Sequence, residues 1–442
     1  MSEWLNLSLL TILIMFSAST GTKPEETCED KACKGSDTMS ALQSHIQVDT
    51  MSTDEESIEK TKASTNFSRH QELRTTDSSD APFKVFLYDL PSEFMVEKVQ
   101  FEIDPYWQTA RSQQYDAEVA VFRYFKMHPH LTTSNPEEAH LFLIPVFLSH
   151  MYENPENGAG QDAMKRVLSY INETYPYWRS RRAHHMVSVV HDFGRCLFQV
   201  ESEVWKELQD VIVLSHLGDR HQRYNLNCVS TEHDLVMPPL GFHDQLPDLN
   251  RSRNRLAMFI GTFHNERNER NEYVFPDYSE GVRQELARLY ADDPDIMVKE
   301  KVDELDDHTA YQDLLHSTRF CLAPGGWATW SPRAYEAIVF GCIPVFFWSP
   351  GDVKLPWDDT LDYKSFALFV PTTMDNVTAL STLKETLQGV DNASIMQMQQ
   401  RLLEVRRFFS WSLTGEDSGA MSMVLSELKH IQKKAFHNPE SL

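Results

Sequence analysis

From residue 83 onward, short runs of almost unbroken apolar character alternate with stretches of helical periodicity, and this pattern limits the fold most sharply. Residues 140–148, His-Leu-Phe-Leu-Ile-Pro-Val-Phe-Leu, leave no polar face for solvent. A strand of that kind must be covered on both faces, as it is in a parallel sheet flanked by helices. The spacing predicts strands over 84–90, 140–148, 186–190 and 211–214, with helices over 119–128 and 162–175. A second alternation begins with a strand at 256–260. It continues through a helix at 282–290, a strand at 296–299, a helix at 310–317 and a strand at 320–322. A helix from 332, strands at 343–347 and 366–370, and helices at 378–388 and 395–409 complete it. Residues 238–255 carry several prolines and polar side chains, as a linker does. The expected fold is α/β: two Rossmann-like, doubly wound domains, residues 83–245 and 246–435, facing a cleft.

The start of the chain has a different character. Residues 4–18 are apolar with no lysine or arginine before them, and the small residues Ser17, Ala18 and Ser19 end the run. It falls short of the ~20 residues of a membrane span. Residues 1–20 therefore read as either a cleaved signal peptide or a short signal-anchor. Residues 21–82 are rich in Ser, Thr, Glu, Asp and Lys, a composition expected of a disordered stem. A formal net charge of −24 argues against nucleic acid or an anionic membrane as a partner. Two basic clusters stand against that background: Arg179, Arg181, Arg182, His184 and His185, and then Arg251, Arg253 and Arg255. Both are expected to be solvated surface. Sequons at Asn66, Asn172, Asn250, Asn376 and Asn392 fit a lumenal location. Of the six cysteines, Cys28 and Cys33 lie closest together; Cys196 and Cys228 are the candidate disulfide, and Cys321 and Cys342 are expected to be buried free thiols.

The stretch from Pro324 to Val345 carries the chemistry. A glycine-rich loop, Pro324-Gly325-Gly326-Trp327, precedes Ser331-Pro332-Arg333-Ala334-Tyr335-Glu336. Ser331 suits an N-cap and Pro332 the first helical position, where its missing N–H costs nothing. Arg333 and Glu336 then share a helix face. The helix N-terminus and Arg333 suit a phosphate, and a carboxylate one turn deeper suits the hydroxyls of a ribose. On the local sequence alone an ordinary capped helix with an i, i+3 ion pair explains the same residues equally well.

Residues 320–333, Phe-Cys-Leu-Ala-Pro-Gly-Gly-Trp-Ala-Thr-Trp-Ser-Pro-Arg, followed by Glu336-Ala337 and Gly341-Cys-Ile-Pro-Val345, resemble the exostosin-type glycosyltransferase family 47. Further blocks in the same order extend the resemblance: Lys84-Val-Phe-Leu-Tyr-Asp-Leu-Pro91, residues 136–146, His191-Asp-Phe-Gly-Arg-Cys196 and Tyr278-Ser-Glu-Gly-Val-Arg283. The Trp-x-x-Trp-Ser-Pro-Arg and His-Asp-Phe-Gly blocks look most like the plant xylan xylosyltransferase branch. Gly325, Arg195 and the inserted-looking residues 348–356 depart from the family pattern.

The resemblance implies a GT-B fold and an inverting, Golgi-located transferase that passes a sugar from a UDP-sugar to a polysaccharide or glycan, with xylose the expected sugar. A single-pass type II anchor is the family's usual arrangement, and a secreted form is the alternative. Donor contacts are then expected from Gly261, Arg283, Gly326, Trp327, Ser331, Arg333 and Glu336. Asp192 is the first candidate for the base that deprotonates the acceptor, with His191 second and His150 third. Trp327 and Trp330 stack on the ligand or fill the core. Asp293-Pro294-Asp295 matches a metal-binding Asp-x-Asp pattern but lies in an acidic turn, so no metal and no cofactor are expected. A heparan-type uronosyl or other hexosyl transferase, and a non-catalytic subunit of a polysaccharide synthase working with a partner transferase, are the alternatives.

Overall fold

The structure, a computed structural model, describes residues 82–94, 113–151, 158–181, 184–219, 228–230, 232–241, 251–270, 274–275, 278–300, 308–372, 378–411 and 419–437. All of them fall in one compact unit, Ser78–Leu442. The apolar run at 1–20, the stem up to residue 81, Asn66, Asn250, Asn376, Arg182, Cys28 and Cys33 lie outside the described residues. Among the described residues no helix is long and apolar enough to cross a membrane.

Two all-parallel sheets form. The first contains β1 (Val85–Leu87), β2 (Thr132–Thr133), β3 (Leu141–Ile144), β4 (His185–Ser188), β5 (Ile212–Ser215) and β6 (Leu235–Val236), in the order β2-β1-β3-β4-β5-β6. The second contains β7 (Arg255–Ile260), β8 (Ile296–Lys299), β9 (Thr318–Leu322), β10 (Ile343–Phe346) and β11 (Leu368–Phe369), in the order β11-β10-β9-β7-β8. The longer helices are α1 (Ala117–Met127), α2 (Ala159–Thr174), α3 (Val282–Tyr290), α4 (His308–Ser317), α5 (Pro332–Val339), α6 (Asn392–Val405) and α7 (Ala420–His437).

Strand alternation sorts the side chains. Along β3, Leu141 and Leu143 enter the core shared with α1 and the second sheet, whereas Phe142 and Ile144 enter the core under α2. Each such side chain contributes about 1.5–3 kcal/mol when buried, and a one-residue slip would send all four to the wrong face. The described core therefore fixes the register of Leu143 against Met186 and of Phe320 against Ile343.

Three features of the sequence take on structural roles. Arg195 is 2% exposed and donates to Asp234 Oδ1 at 2.6 Å and to the carbonyl of Val211. Asp234 also accepts from Val213 N and Ser230 N, so this buried pair ties β5 to the segment before β6, beside a Cys196–Cys228 disulfide. The inserted residues 348–356 dock on the first sheet. Lys354 N donates to Gly218 O at 2.5 Å, and its ammonium donates to Asp234 O. A Cβ on Gly218 would lie 1.7 Å from Lys354 O, so only glycine permits this approach. Finally, α7 packs against β6 and the turn Arg406–Phe409, with Lys429 Nζ 5.7 Å from the Phe83 ring, so the last helix returns to the first sheet.

Two expectations need correction. Cys321 and Cys342 are not free thiols: they form a disulfide between β9 and the start of β10. Parallel pairing of those strands sets Cys321 opposite Pro344 and brings the two Cα atoms within 5.7 Å, a proximity that their apolar surroundings could not reveal. Arg253 is not a solvated surface charge either. It donates to the carbonyls of Leu315, Thr318 and Phe340, and burial pulls its pKa down to about 10. His185 likewise lies in β4, fully buried.

Candidate functional site

The site gathers at the carboxyl ends of β7 and β9, where ligands bind in open α/β sheets. After β7 the chain turns at Gly261, whose N–H donates to Lys299 O. After β9 it enters the loop from Pro324 to Trp330. Gly325 is required there, since a Cβ would lie 2.6 Å from Ala328 O. Arg283, in the first turn of α3, joins the two loops. Its Nη1 donates to Thr262 O at 3.0 Å and to Tyr278 Oη at 2.6 Å, and its Nη2 donates to Pro324 O at 3.3 Å. The guanidinium sits 5.1 Å from the ring centroids of both Phe259 and Tyr278. Burial disfavours its charge and draws its pKa down to about 10, still a cation at neutral pH. A Cβ on Gly326 would stand 3.6 Å from Arg283 Nη2, and one on Gly261 3.7 Å from Nη1, so both glycines keep the arginine approachable. Before α3, Ser279, Glu280 and Gly281 all have positive φ, of 53°, 51° and 74°. Ser279 N donates to Gly326 O, which locks this turn to the glycine loop.

Two helices further on, Ser331 caps α5 by accepting from Arg333 N at 3.4 Å, with Pro332 at the first helical position. Arg333 Nη1 donates to Glu336 Oε2 at 2.5 Å and to Tyr311 Oη at 3.0 Å. Tyr311, on α4, donates to the same Glu336 oxygen at 2.5 Å. Burial opposes the Arg333 charge, but Glu336 and Tyr311 outweigh it and hold the pKa above the ordinary arginine value. The shared oxygen is Oε2, and among the described residues no hydrogen bond reaches Oε1. Arg333 lies near enough to Arg283 to add to burial in disfavouring the Arg283 charge.

From the first sheet, the loop after β4 presents His191 and Asp192. Tyr115 Oη donates to Asp192 Oδ1 at 3.0 Å, and Trp330 Nε1 donates to Asp192 O at 3.3 Å. Burial raises the Asp192 pKa, partly opposed by the Tyr115 hydrogen bond and by Arg283. His191 stacks on Tyr115 with a 12° interplanar angle, and burial lowers its pKa to about 4, so it is neutral at pH 7. Trp330 is 6% exposed and packs on Tyr115 and His216, so it fills the space between the loops. His216 sets Nδ1 2.9 Å from Met237 O and Nε2 3.0 Å from Gln114 O, and the neutral ring donates to one of the two.

The structure thus brings Gly261 and Gly326 to the Arg283 guanidinium, stands Trp327 against the Tyr278 ring behind it, and sets Ser331, Arg333 and Glu336 on the next helix of the site, with Asp192 and His191 on the loop from the first sheet. His150 lies in the helical turn Leu148–Met151, and its side chain is not among those described. Asn172 and Asn392 are exposed, the latter at the start of α6. Asp293 caps the backbone N–H groups of Asp295 and Ile296 and pairs with Lys384, so the Asp-x-Asp sequence forms a turn. Tyr115 and Tyr311 escaped the sequence reading, because a tyrosine hydroxyl is assigned only once the fold shows which carboxylate it reaches.

Residues 79–387 match the Exostosin GT47 domain. The probable glucuronosyltransferase GUT1 of Oryza sativa subsp. japonica is 28% identical over 341 residues, 75% of this chain and 76% of that protein. The probable beta-1,4-xylosyltransferase IRX10L of Arabidopsis thaliana is 29% identical over 300 residues, 65% of this chain and 67% of that protein. Among solved structures, Arabidopsis thaliana UGT89C1 complexed with UDP aligns over 80% of this chain and 99% of that one, at 12% identity and a TM-score of 0.33. That likeness is too slight to bear on the fold, which rests on the two parallel sheets themselves.

Proposed function

The chain belongs to the exostosin GT47 family, and from that premise we propose that it is an inverting glycosyltransferase passing xylose from UDP-xylose to a polysaccharide. The observation that carries the reading is Arg283 held against the glycine loop at Pro324 O, with Arg333 in the first turn of the helix that follows that loop and the half-buried carboxylate of Asp192 on the loop that meets Trp330.

The chemistry follows from the charges. The acceptor oxygen attacks the anomeric carbon from the face opposite the diphosphate, and the bond from that carbon to the β-phosphate oxygen breaks. Its electron pair leaves with UDP, whose growing negative charge Arg283, Arg333 and the N-terminus of α5 stabilise. The acceptor proton goes to Asp192, whose raised pKa makes it a stronger base than an ordinary carboxylate. Tyr115 holds Oδ1, so the proton is taken by Oδ2. His191 serves by holding the Tyr115 ring. Glu336 accepts from the ribose hydroxyls while Tyr311 and Arg333 fix its rotamer. No step in this scheme requires a metal. Two disulfides and exposed sequons at Asn172 and Asn392 support work in the Golgi lumen.

Titration calorimetry with UDP tests the site. Arg333→Ala and Glu336→Ala should each weaken UDP about 10- to 100-fold, the worth of one charge-assisted contact. Undiminished UDP affinity in both folded variants would remove the assignment. A uronosyl donor is the second reading, since the named relatives divide between glucuronosyl and xylosyl transfer. Tighter binding of UDP-glucuronate than of UDP-xylose would favour it.

A further inference from the structure

Among the described residues six large apolar side chains stand exposed, and three of them fall at one place: Val274 at 46%, Phe275 at 39% and Trp327 at 44%. Exposed apolar surface gathered at the mouth of a site marks a binding surface more often than chance. The rings are held rather than loose. His264 is the hub, its centroid 4.3 Å from Tyr278, 5.1 Å from Phe275 and 5.3 Å from Trp327. Trp327 meets Tyr278 at 4.9 Å and Phe275 at 5.4 Å, both edge to face. Tyr278 is 5% exposed and backs the cluster, so Trp327 is fixed from behind while much of it stays open to solvent.

The position within the site decides what this surface meets. The ring cluster hangs on Arg283 through the Tyr278 hydroxyl, whereas the carboxylate suited to the ribose hangs on Arg333 with Tyr311. Asp192, the base, accepts through its backbone carbonyl from Trp330, three residues beyond Trp327 on the same loop. The rings and the base thus meet one loop, and the nucleoside end of the site is built on Arg333 and Tyr311. Resting on the proposed transferase reading, we infer that Trp327, with Phe275 and Val274, is a subsite for a neutral polysaccharide acceptor and not part of the nucleotide site. The C–H face of a pyranose ring covers an aromatic plane while its rim hydroxyls remain free to hydrogen-bond. Glu266, 3.7 Å from His264 Nδ1, offers a carboxylate acceptor at the edge. That carboxylate and the chain's net charge of −24 favour an uncharged glycan over a uronate-rich one.

The test is calorimetry of the full chain with UDP, then with xylohexaose in the presence of UDP, for wild type, Trp327→Ala and Phe275→Ala. Wild type should bind both, and Trp327→Ala should weaken xylohexaose about tenfold, the factor carried by one lost aromatic contact, with UDP affinity kept. Heparosan oligosaccharide of similar length should bind more weakly than xylohexaose. Weakening of UDP by Trp327→Ala to the same degree would make the rings a base-stacking platform and overturn the inference. So would xylohexaose affinity indifferent to both substitutions, no xylohexaose binding by wild type, or a dimer in sedimentation that Trp327→Ala dissociates. Failure of wild type to bind UDP would instead strike the transferase reading itself.

Discussion

Replacing Gly326 by alanine separates binding from folding at a single atom. The new methyl would sit 3.6 Å from Arg283 Nη2 and 3.9 Å from Tyr278 Oη, ordinary contact distances that displace nothing. Gly326 does not occupy the left-handed region, so alanine adopts the same backbone. Narrowing the unfolded ensemble should then stabilise the protein by about 0.4–1 kcal/mol. Binding should suffer. Both Nη1 hydrogens of Arg283 are taken by Thr262 O and Tyr278 Oη, and one on Nη2 is taken by Pro324 O. A phosphate oxygen must come within about 2.7–2.9 Å of the guanidinium, and the methyl covers the Nη2 side of that approach. Losing one hydrogen bond to a charged group is worth about 1.5–3 kcal/mol, roughly 10- to 150-fold in UDP affinity. Calorimetry with UDP alongside thermal melts reads both quantities. Gly325→Ala is the control: its methyl would lie 2.6 Å from Ala328 O, so this variant should lose stability by about 1–3 kcal/mol. Unchanged UDP affinity in Gly326→Ala, with an unchanged or raised Tm, would refute Arg283 as the diphosphate ligand.

Other perturbations reach separate parts of the account. Asp192→Asn should keep UDP affinity and lower kcat by about 100- to 10,000-fold, as loss of a general base does; full turnover would exclude it. Tyr115→Phe removes a hydrogen bond to the ionised carboxylate, so the acid limb of the kcat profile should move to higher pH, and an unmoved limb would contradict the pairing. For His216, burial lowers the folded pKa to about 4 from 6.5, against the pull of its two carbonyl contacts. The unfolded chain therefore takes the proton first, and stability is lost as pH falls from 6.5 toward 4, by about 3 kcal/mol for this group. His216→Asn should flatten that part of the pH–stability curve; an unaltered slope would show that burial does not depress this pKa. Replacing Cys321 and Cys342 by alanine should cost about 3 kcal/mol in denaturant unfolding, whereas no cost would argue against the bridge.

The strands with long apolar runs were legible because burial on both faces leaves its mark on every residue, as in Leu141–Ile144 and Arg255–Ile260. The two-residue strands Thr132–Thr133 and Leu235–Val236 leave no such mark, since edge positions are chosen by pairing and not by composition. Helix Ala420–His437 had a readable pattern in Ala420, Met421, Val424, Leu428 and Ile431, yet its return to the first sheet depends on contacts far away in sequence. The same division holds for the site. Arg333 and Glu336 lie one turn apart, and their spacing alone places them on one face. Arg283 and Asp192 come from different sheets, and their coupling exists only in the folded chain. Residue chemistry was visible, whereas partners depended on register, which is why Cys321–Cys342, Tyr115–Asp192 and Tyr311–Glu336 emerged from the structure.

The most direct measurement of the central claim is UDP release by the purified protein. UDP-xylose, UDP-glucuronate and other UDP-sugars would be supplied with xylan, heparosan and xyloglucan oligosaccharides, with and without EDTA. Turnover is expected with UDP-xylose and a xylan oligosaccharide, undiminished by EDTA and at least about 100-fold slower in Asp192→Asn. Binding of UDP without release across every pair, or release that EDTA stops, would contradict this expectation.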